Sequence, residues 1–126
     1  REFYEKLAVY KDKVQILVYD EFCSFEFIST LVESAACVLM PYFNTSQSSG
    51  LLGYAIQFAK PVIVPKRGML AKIIKESHNG IYLNSISPKE IYNSVQQVKQ
   101  FKVDKDLCNL YITAHSVDEF VRVICD

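Results

Sequence analysis

The chain is 126 residues long, half of them apolar and 22% charged, with fourteen basic residues balancing fourteen acidic ones. Those figures fit one ordinary globular domain with a core of its own. They exclude the electrostatic footprint of a nucleic-acid binder, and no apolar run approaches the ~20 residues of a membrane span.

The first eleven residues place Phe3, Leu7, Ala8 and Tyr10 at roughly helical spacing, which predicts a helix over residues 1–11. With no initiator methionine and no signal peptide ahead of it, this start is expected to belong to a piece of a longer protein. V-Q-I-L-V at 14–18 is short, apolar and β-branched, the pattern of a buried strand. Ser24 can cap a helix whose apolar face carries Phe27, Ile28, Leu31, Val32 and Ala35. A second strand, C-V-L-M at 37–40, is stopped by Pro41.

Next comes N-T-S-Q-S-S-G, residues 44–50, running straight into Leu51, Leu52, Ala55, Ile56 and Ala59. That spacing predicts a helix over 48–58. P-V-I-V at 61–64 reads as a third strand, Leu70, Ile73 and Ile74 mark a short helix after Gly68, and G-I-Y-L at 80–83 reads as a fourth strand. S-P-K-E at 87–90 combines a capping-box Ser and Glu with proline at the first helical position, and Ile91, Val95, Val98 and Phe101 form that helix's apolar face. Another helix is expected over 106–113. Ser116 and Glu119 repeat the capping signal before Phe120, Val123 and Ile124.

Short buried strands alternating with helices predict parallel strands joined by crossover helices. The expected fold is a single α/β domain over 1–126: a three-layer, doubly wound, Rossmann-like sheet of about four strands with two or three further C-terminal helices. Ligands of such folds sit beyond the carboxyl ends of the strands, and the loop at 41–49 is the longest one there.

A helix start exposes backbone N–H groups and the positive pole of the helix dipole, which together suit a phosphate. Ser46, Ser48 and Ser49 add hydroxyl donors, and Gly50 lets an anion approach the backbone. The stretch is neither a G-x-x-x-x-G-K-[ST] loop nor a G-x-G-x-x-G fingerprint, so a plain helix cap is the competing account. Other candidates are weaker. His78 and His115 have no Ser, Cys or carboxylate at triad spacing, and Cys23, Cys37, Cys108 and Cys125 show no metal-ligand spacing. The cysteines read as buried free thiols in a reducing, cytoplasmic compartment. Tyr42 and Phe43 line the cleft or pack beneath the loop. Lys66 and Arg67, after a strand end, approach the cleft or are solvated surface charges.

The stretch P-Y-F-N-T-S-Q-S-S-G-L-L-G-Y-A-I-Q-F-A-K-P-V-I-V-P, followed by G-M-L and N-G-I-Y-L, resembles the donor-binding region of glycosyltransferase family 4. V-Y-D-E-F, A-C-V-L-M-P-Y, S-P-K-E-I and A-H-S-V-D-E-F extend the resemblance over almost the whole chain. It implies a retaining, metal-independent enzyme of the GT-B fold, of which this chain is the C-terminal, donor-binding half and lacks the N-terminal acceptor-binding domain. The substrate would be a nucleotide diphosphate sugar, as in polysaccharide biosynthesis. No cofactor and no nucleic acid are implied, and peripheral membrane contact of the full protein is left open.

By resemblance, Ser48, Ser49, Gly50 and Leu51 would hold the donor diphosphate. Ser46, Gln47 and Tyr54 would reach the sugar or ribose, and the loop around Tyr19, Asp20, Glu21 and Phe22 would face the base. The sequence departs from the family at the two glutamates many members carry eight residues apart, which fall on Ser46 and Tyr54. The sugar-contacting carboxylate is therefore missing or replaced, and the catalytic residues are unknown. The arginine and lysine that commonly neutralise the diphosphate fall upstream of Arg1. The chain alone is expected to be inactive. A non-catalytic Rossmann-like regulatory or nucleotide-binding module, using the same helix start, is the alternative.

Overall fold

The computed structural model describes residues 2–10, 12–43 and 50–115. Among them, three strands form one parallel sheet in the order β1 (Val38–Leu39), β2 (Val62–Pro65) and β3 (Gly80–Leu83). Six helices accompany it: α1 (Glu2–Ala8), α2 (Phe25–Ser34), α3 (Gly50–Gln57), α4 (Gly68–Ser77), α5 (Pro88–Gln97) and α6 (Lys105–Ala114). Helix α3 connects β1 to β2 and α4 connects β2 to β3, the crossover arrangement that parallel neighbours require.

β2 has no exposed residue. Its side chains alternate across the sheet, as strand geometry demands. Val62 and Val64 join a core with Val38 of β1, Met40 just after it, and Val32, Leu52, Ala55, Ile56, Leu70, Ile74 and Cys108 from α2, α3, α4 and α6. Ile63 joins Ile81 and Leu83 in a second cluster against Ile91, Val98 and Phe101, at and beyond α5. The face expected for α3 packs throughout, whereas Phe27 and Leu31 of α2 and Val95 of α5, also expected on apolar faces, stay exposed.

Local signals explain most boundaries. The Ser24 hydroxyl accepts from the Phe27 N–H at 3.1 Å. Ser87 accepts from the Glu90 N–H at 3.2 Å, but the Glu90 carboxylate accepts from the Asn84 N–H instead of returning to Ser87, so half of the capping box forms. α3 ends in a Schellman turn: the Lys60 N–H reaches the Ala55 carbonyl, the Ala59 N–H reaches Ile56, and Ala59 takes a left-handed φ of 53°.

One expected strand does not form. Residues 14–18 join no strand and are exposed; Leu17 keeps 64% of its surface. Two contacts explain where this segment goes. The Tyr4 hydroxyl of α1 donates to Asp20 at 3.3 Å, and the Tyr19 ring meets Phe27 of α2 edge-on at 4.9 Å. The sheet of the described residues thus has three strands rather than four. The expected start of α3 at Ser48 and the helix after Ser116 fall outside the described residues.

At the amino edge of the sheet, Asn79 is wholly buried and ties three elements together. Its amide donates to the Lys60 carbonyl at 3.0 Å, its Oδ1 accepts from the Ser77 hydroxyl at 2.6 Å, and its backbone carbonyl accepts from Val62. Removing the amide takes the donor from the Lys60 carbonyl and the nearer acceptor from the Ser77 hydroxyl, which keeps the Ile73 carbonyl at 3.3 Å. Asn79→Ala should cost about 2–3 kcal/mol, read in urea unfolding as a lower midpoint with an unchanged slope.

Candidate functional site

Parallel pairing sends the carboxyl ends of β1, β2 and β3 to one edge, where the connections to α3, α4 and α5 begin. Helix α3 opens at that edge with Gly50, and its first turn carries the positive pole of the helix. Gly50 is exposed, and a Cβ placed on it would meet nothing within 4 Å. Protein packing therefore does not demand glycine there. Gly53, one turn further on, is equally unobstructed.

A cavity of about 510 Å³ opens beside this helix start. Gly50, Leu51 and Tyr54 form one wall; Glu21, Phe22 and Cys23 form another; Ile28, Leu31 and Val32 of α2 close the floor, with Phe25 beside them. Two residue groups thirty positions apart in sequence thus share one cleft. Its volume lies in the range of small-molecule sites, and its described lining is apolar except for Glu21, the thiol of Cys23 and the Tyr54 phenol. Phe22 and Phe25 are strongly exposed at it, 92% and 72%. Flat apolar rings in that setting suit the face of a planar aromatic ligand.

The structure divides the residues expected in the base-side loop. Glu21 lines the cavity, whereas Asp20 accepts from Tyr4 and Tyr19 packs on Phe27. The negative charge of Asp20 also raises the Tyr4 phenol pKa, burial adding to it. Of the α3 residues, Gly50, Leu51 and Tyr54 stand together on the cavity; Ser46, Gln47, Ser48 and Ser49 lie outside the described residues. Tyr42 and Phe43 are both exposed beyond β1.

Phe25 gains a place that the sequence reading did not give it, and Arg67 takes a definite one. Phe25 counted only as part of a helix start, although an aromatic pair flanking the cap at Ser24 was the available signal. Arg67 is more than a solvated charge: its guanidinium donates to the Phe43 carbonyl at 2.9 Å, which holds a cation against the segment leading toward α3. Lys66 is exposed and points to a different cavity, lined with α4 and Tyr82.

The remaining sequence candidates are structural. Cys108 is buried in the core with its thiol 3.5 Å from the Ser77 carbonyl, and burial raises the thiol pKa of both Cys37 and Cys108. These groups stay protonated and unreactive at neutral pH. Cys23, Cys37 and Cys108 are free, but of the three only Cys108 is fully buried, Cys23 and Cys37 being half-buried; Cys125 lies outside the described residues. His78 caps α4 in the left-handed region, and His115 stacks on Tyr111 at 4.1 Å. Among the described residues, no group of three or more His, Cys, Asp or Glu is arranged to hold a metal, and no helix is long and apolar enough to cross a membrane. Compared with protein-family models, curated proteins and solved structures, the chain matches none.

The two unobstructed glycines of α3 separate ligand space from helix propensity. Gly53→Ala should raise stability by about 0.5–1 kcal/mol. Gly50→Ala should leave stability unchanged or slightly higher while weakening any anion held at the helix start. Parallel thermal unfolding and ligand titration of the two variants measure both effects.

Proposed function

We propose that this chain is the donor-binding domain of a retaining glycosyltransferase, which transfers a sugar from a nucleotide diphosphate sugar to an acceptor. The fold in this reading is a three-layer, doubly wound, Rossmann-like sheet, the C-terminal half of a GT-B enzyme, with the acceptor site on another domain of the full protein. The observation that carries it is the cavity on which Gly50, Leu51 and Tyr54 meet Glu21 and Phe22. The motif resemblance names these residue groups as diphosphate, ribose and base contacts, and they converge on one cleft.

The chemistry follows from the parts. The α3 N-terminus, with Ser48, Ser49, Gly50 and Leu51, would hold the diphosphate, and its fixed positive pole would stabilise charge growing on the departing group. Arg67, held beside the preceding segment, adds a cation at the same edge. Phe22 and Phe25 offer faces for the base, and Glu21 offers an acceptor to its exocyclic amine or to the ribose hydroxyls. Ser46 and Gln47 would reach toward the sugar. Tyr54 would present a phenol where many family members have a carboxylate, so grip on the ribose would rest on a neutral group.

In this reading the isolated chain carries only part of the donor site, so it should bind nucleoside diphosphates weakly, with a dissociation constant of about 1 mM. Titration with UDP and with GDP should shift the amides of Gly50–Tyr54 together with those of Glu21–Cys23. Silence at both groups with either nucleotide would overturn the reading. In the full-length protein, Gly50→Asp sets a carboxylate against the diphosphate and should lower sugar release from the nucleotide donor at least tenfold, about 1.4 kcal/mol or more. Nucleotide binding without any sugar release or transfer by the full-length protein would favour the regulatory, non-catalytic module instead.

A further inference from the structure

A second cavity, of about 410 Å³, is lined by Lys66, Ala71, Lys72, Lys75 and Tyr82 and shares no described lining residue with the cleft at α3. Its cations come from separate elements. Lys66 directly follows β2, where its backbone N–H is bonded to the Leu83 carbonyl at 2.9 Å. Lys72 and Lys75 stand one turn apart on α4 and so project from one side of that helix. Tyr82 sits opposite Val64 in the sheet register, its ring packed against the core. Its hydroxyl lies 3.5 Å from the Ala71 carbonyl, the outer limit of a hydrogen bond, so it can turn to a better acceptor. Burial raises the phenol pKa, so the group remains a donor at neutral pH.

Three lysines line this one cavity; all three are exposed and, among the described residues, none is paired with a carboxylate. The neighbouring acid, Glu76, lies toward α6, where its charge acts on Tyr111. With a net charge of zero over the whole chain, this concentration of cations is local.

We propose that the cavity formed by Lys66, Lys72, Lys75 and Tyr82 binds a phosphate-bearing anion, either a small phosphorylated molecule or a phosphorylated lipid headgroup. Lysines act as point charges that suit a compact, multiply charged anion. The Tyr82 hydroxyl supplies the directional bond, and the volume admits a small group rather than a nucleic-acid duplex.

Two probes separate the sources: inorganic pyrophosphate, and phosphatidylcholine–phosphatidic acid vesicles (about 4:1). Pyrophosphate should shift the resonances of Ala71–Lys75 and Tyr82, and added salt should weaken it. Lys72→Gln combined with Lys75→Gln should weaken binding about tenfold. Lys89→Gln with Lys99→Gln removes the same charge at and beyond α5 and should change binding less than about twofold. Pyrophosphate binding without vesicle binding identifies a free ligand; vesicle sedimentation lost in the α4 pair alone identifies a headgroup. No binding of either probe, equal losses in both double variants, or shifts confined to Gly50–Tyr54 would overturn the proposal. The last outcome would leave the α3 reading intact.

Discussion

Everything in this structure is arranged around one strand with no free side. β2 is hydrogen-bonded along both edges: the Pro61 and Ile63 carbonyls accept from Val38 and Met40, and the Val62 N–H donates to Asn79. Both of its faces are also covered, Val62 and Val64 on one and Ile63 on the other, each at 0% exposure. A strand in that position must be apolar throughout and must find partners for all its backbone groups. Proline is tolerable only at its ends, which is where Pro61 and Pro65 stand. Once β2 is fixed, α3 and α4 have to run back over one face to keep β1 and β3 parallel to it, and α5 is left to cover the other.

That arrangement separates two kinds of work. At the amino edge, Asn79, Ser77 and the Lys60 carbonyl form a buried, fully paired polar junction. At the carboxyl edge lie the start of α3, the Arg67 guanidinium and the exposed loop residues Tyr42 and Phe43. Four residues of strand, about 13 Å, keep them apart. Loops at the carboxyl edge can therefore change without disturbing the junction that holds the strands in register.

Much of this was legible in the sequence because the signals were local. β3 has the bounds its pattern suggests, Ser24 and Ser87 cap the helices they precede, and the Val/Ile content of β2 announces a strand buried on both faces. The segment at 14–18 misled because composition reports only that residues are apolar. β1 offers a paired length of only two residues, while α1 and Phe27 provide competing contacts through Tyr4, Asp20 and Tyr19. Of the residues that the motif resemblance names, Gly50, Leu51, Tyr54 and Glu21 come together on one cavity. The resemblance did not anticipate that Asp20 and Tyr19 turn away, or that Arg67 reaches twenty-four residues back to Phe43. Those are long-range choices among partners, and no spacing rule encodes them.

The close approach of β3 to α4 has a chemical side. A Cβ on Gly80 would overlap the Ile74 side chain, so this position is confined to glycine. The residue before it is Asn79, and an asparagine followed by glycine is the pair that most readily cyclises to a succinimide in a mobile chain, since no side chain hinders attack by the next backbone nitrogen. Here the Asn79 amide is held by Lys60 and Ser77 and kept dry. Folding thus shelters the chain's most perishable bond, and each opening exposes it. A copy that ages to aspartate at this position loses the donor for the Lys60 carbonyl, so the damage is recorded in the fold itself.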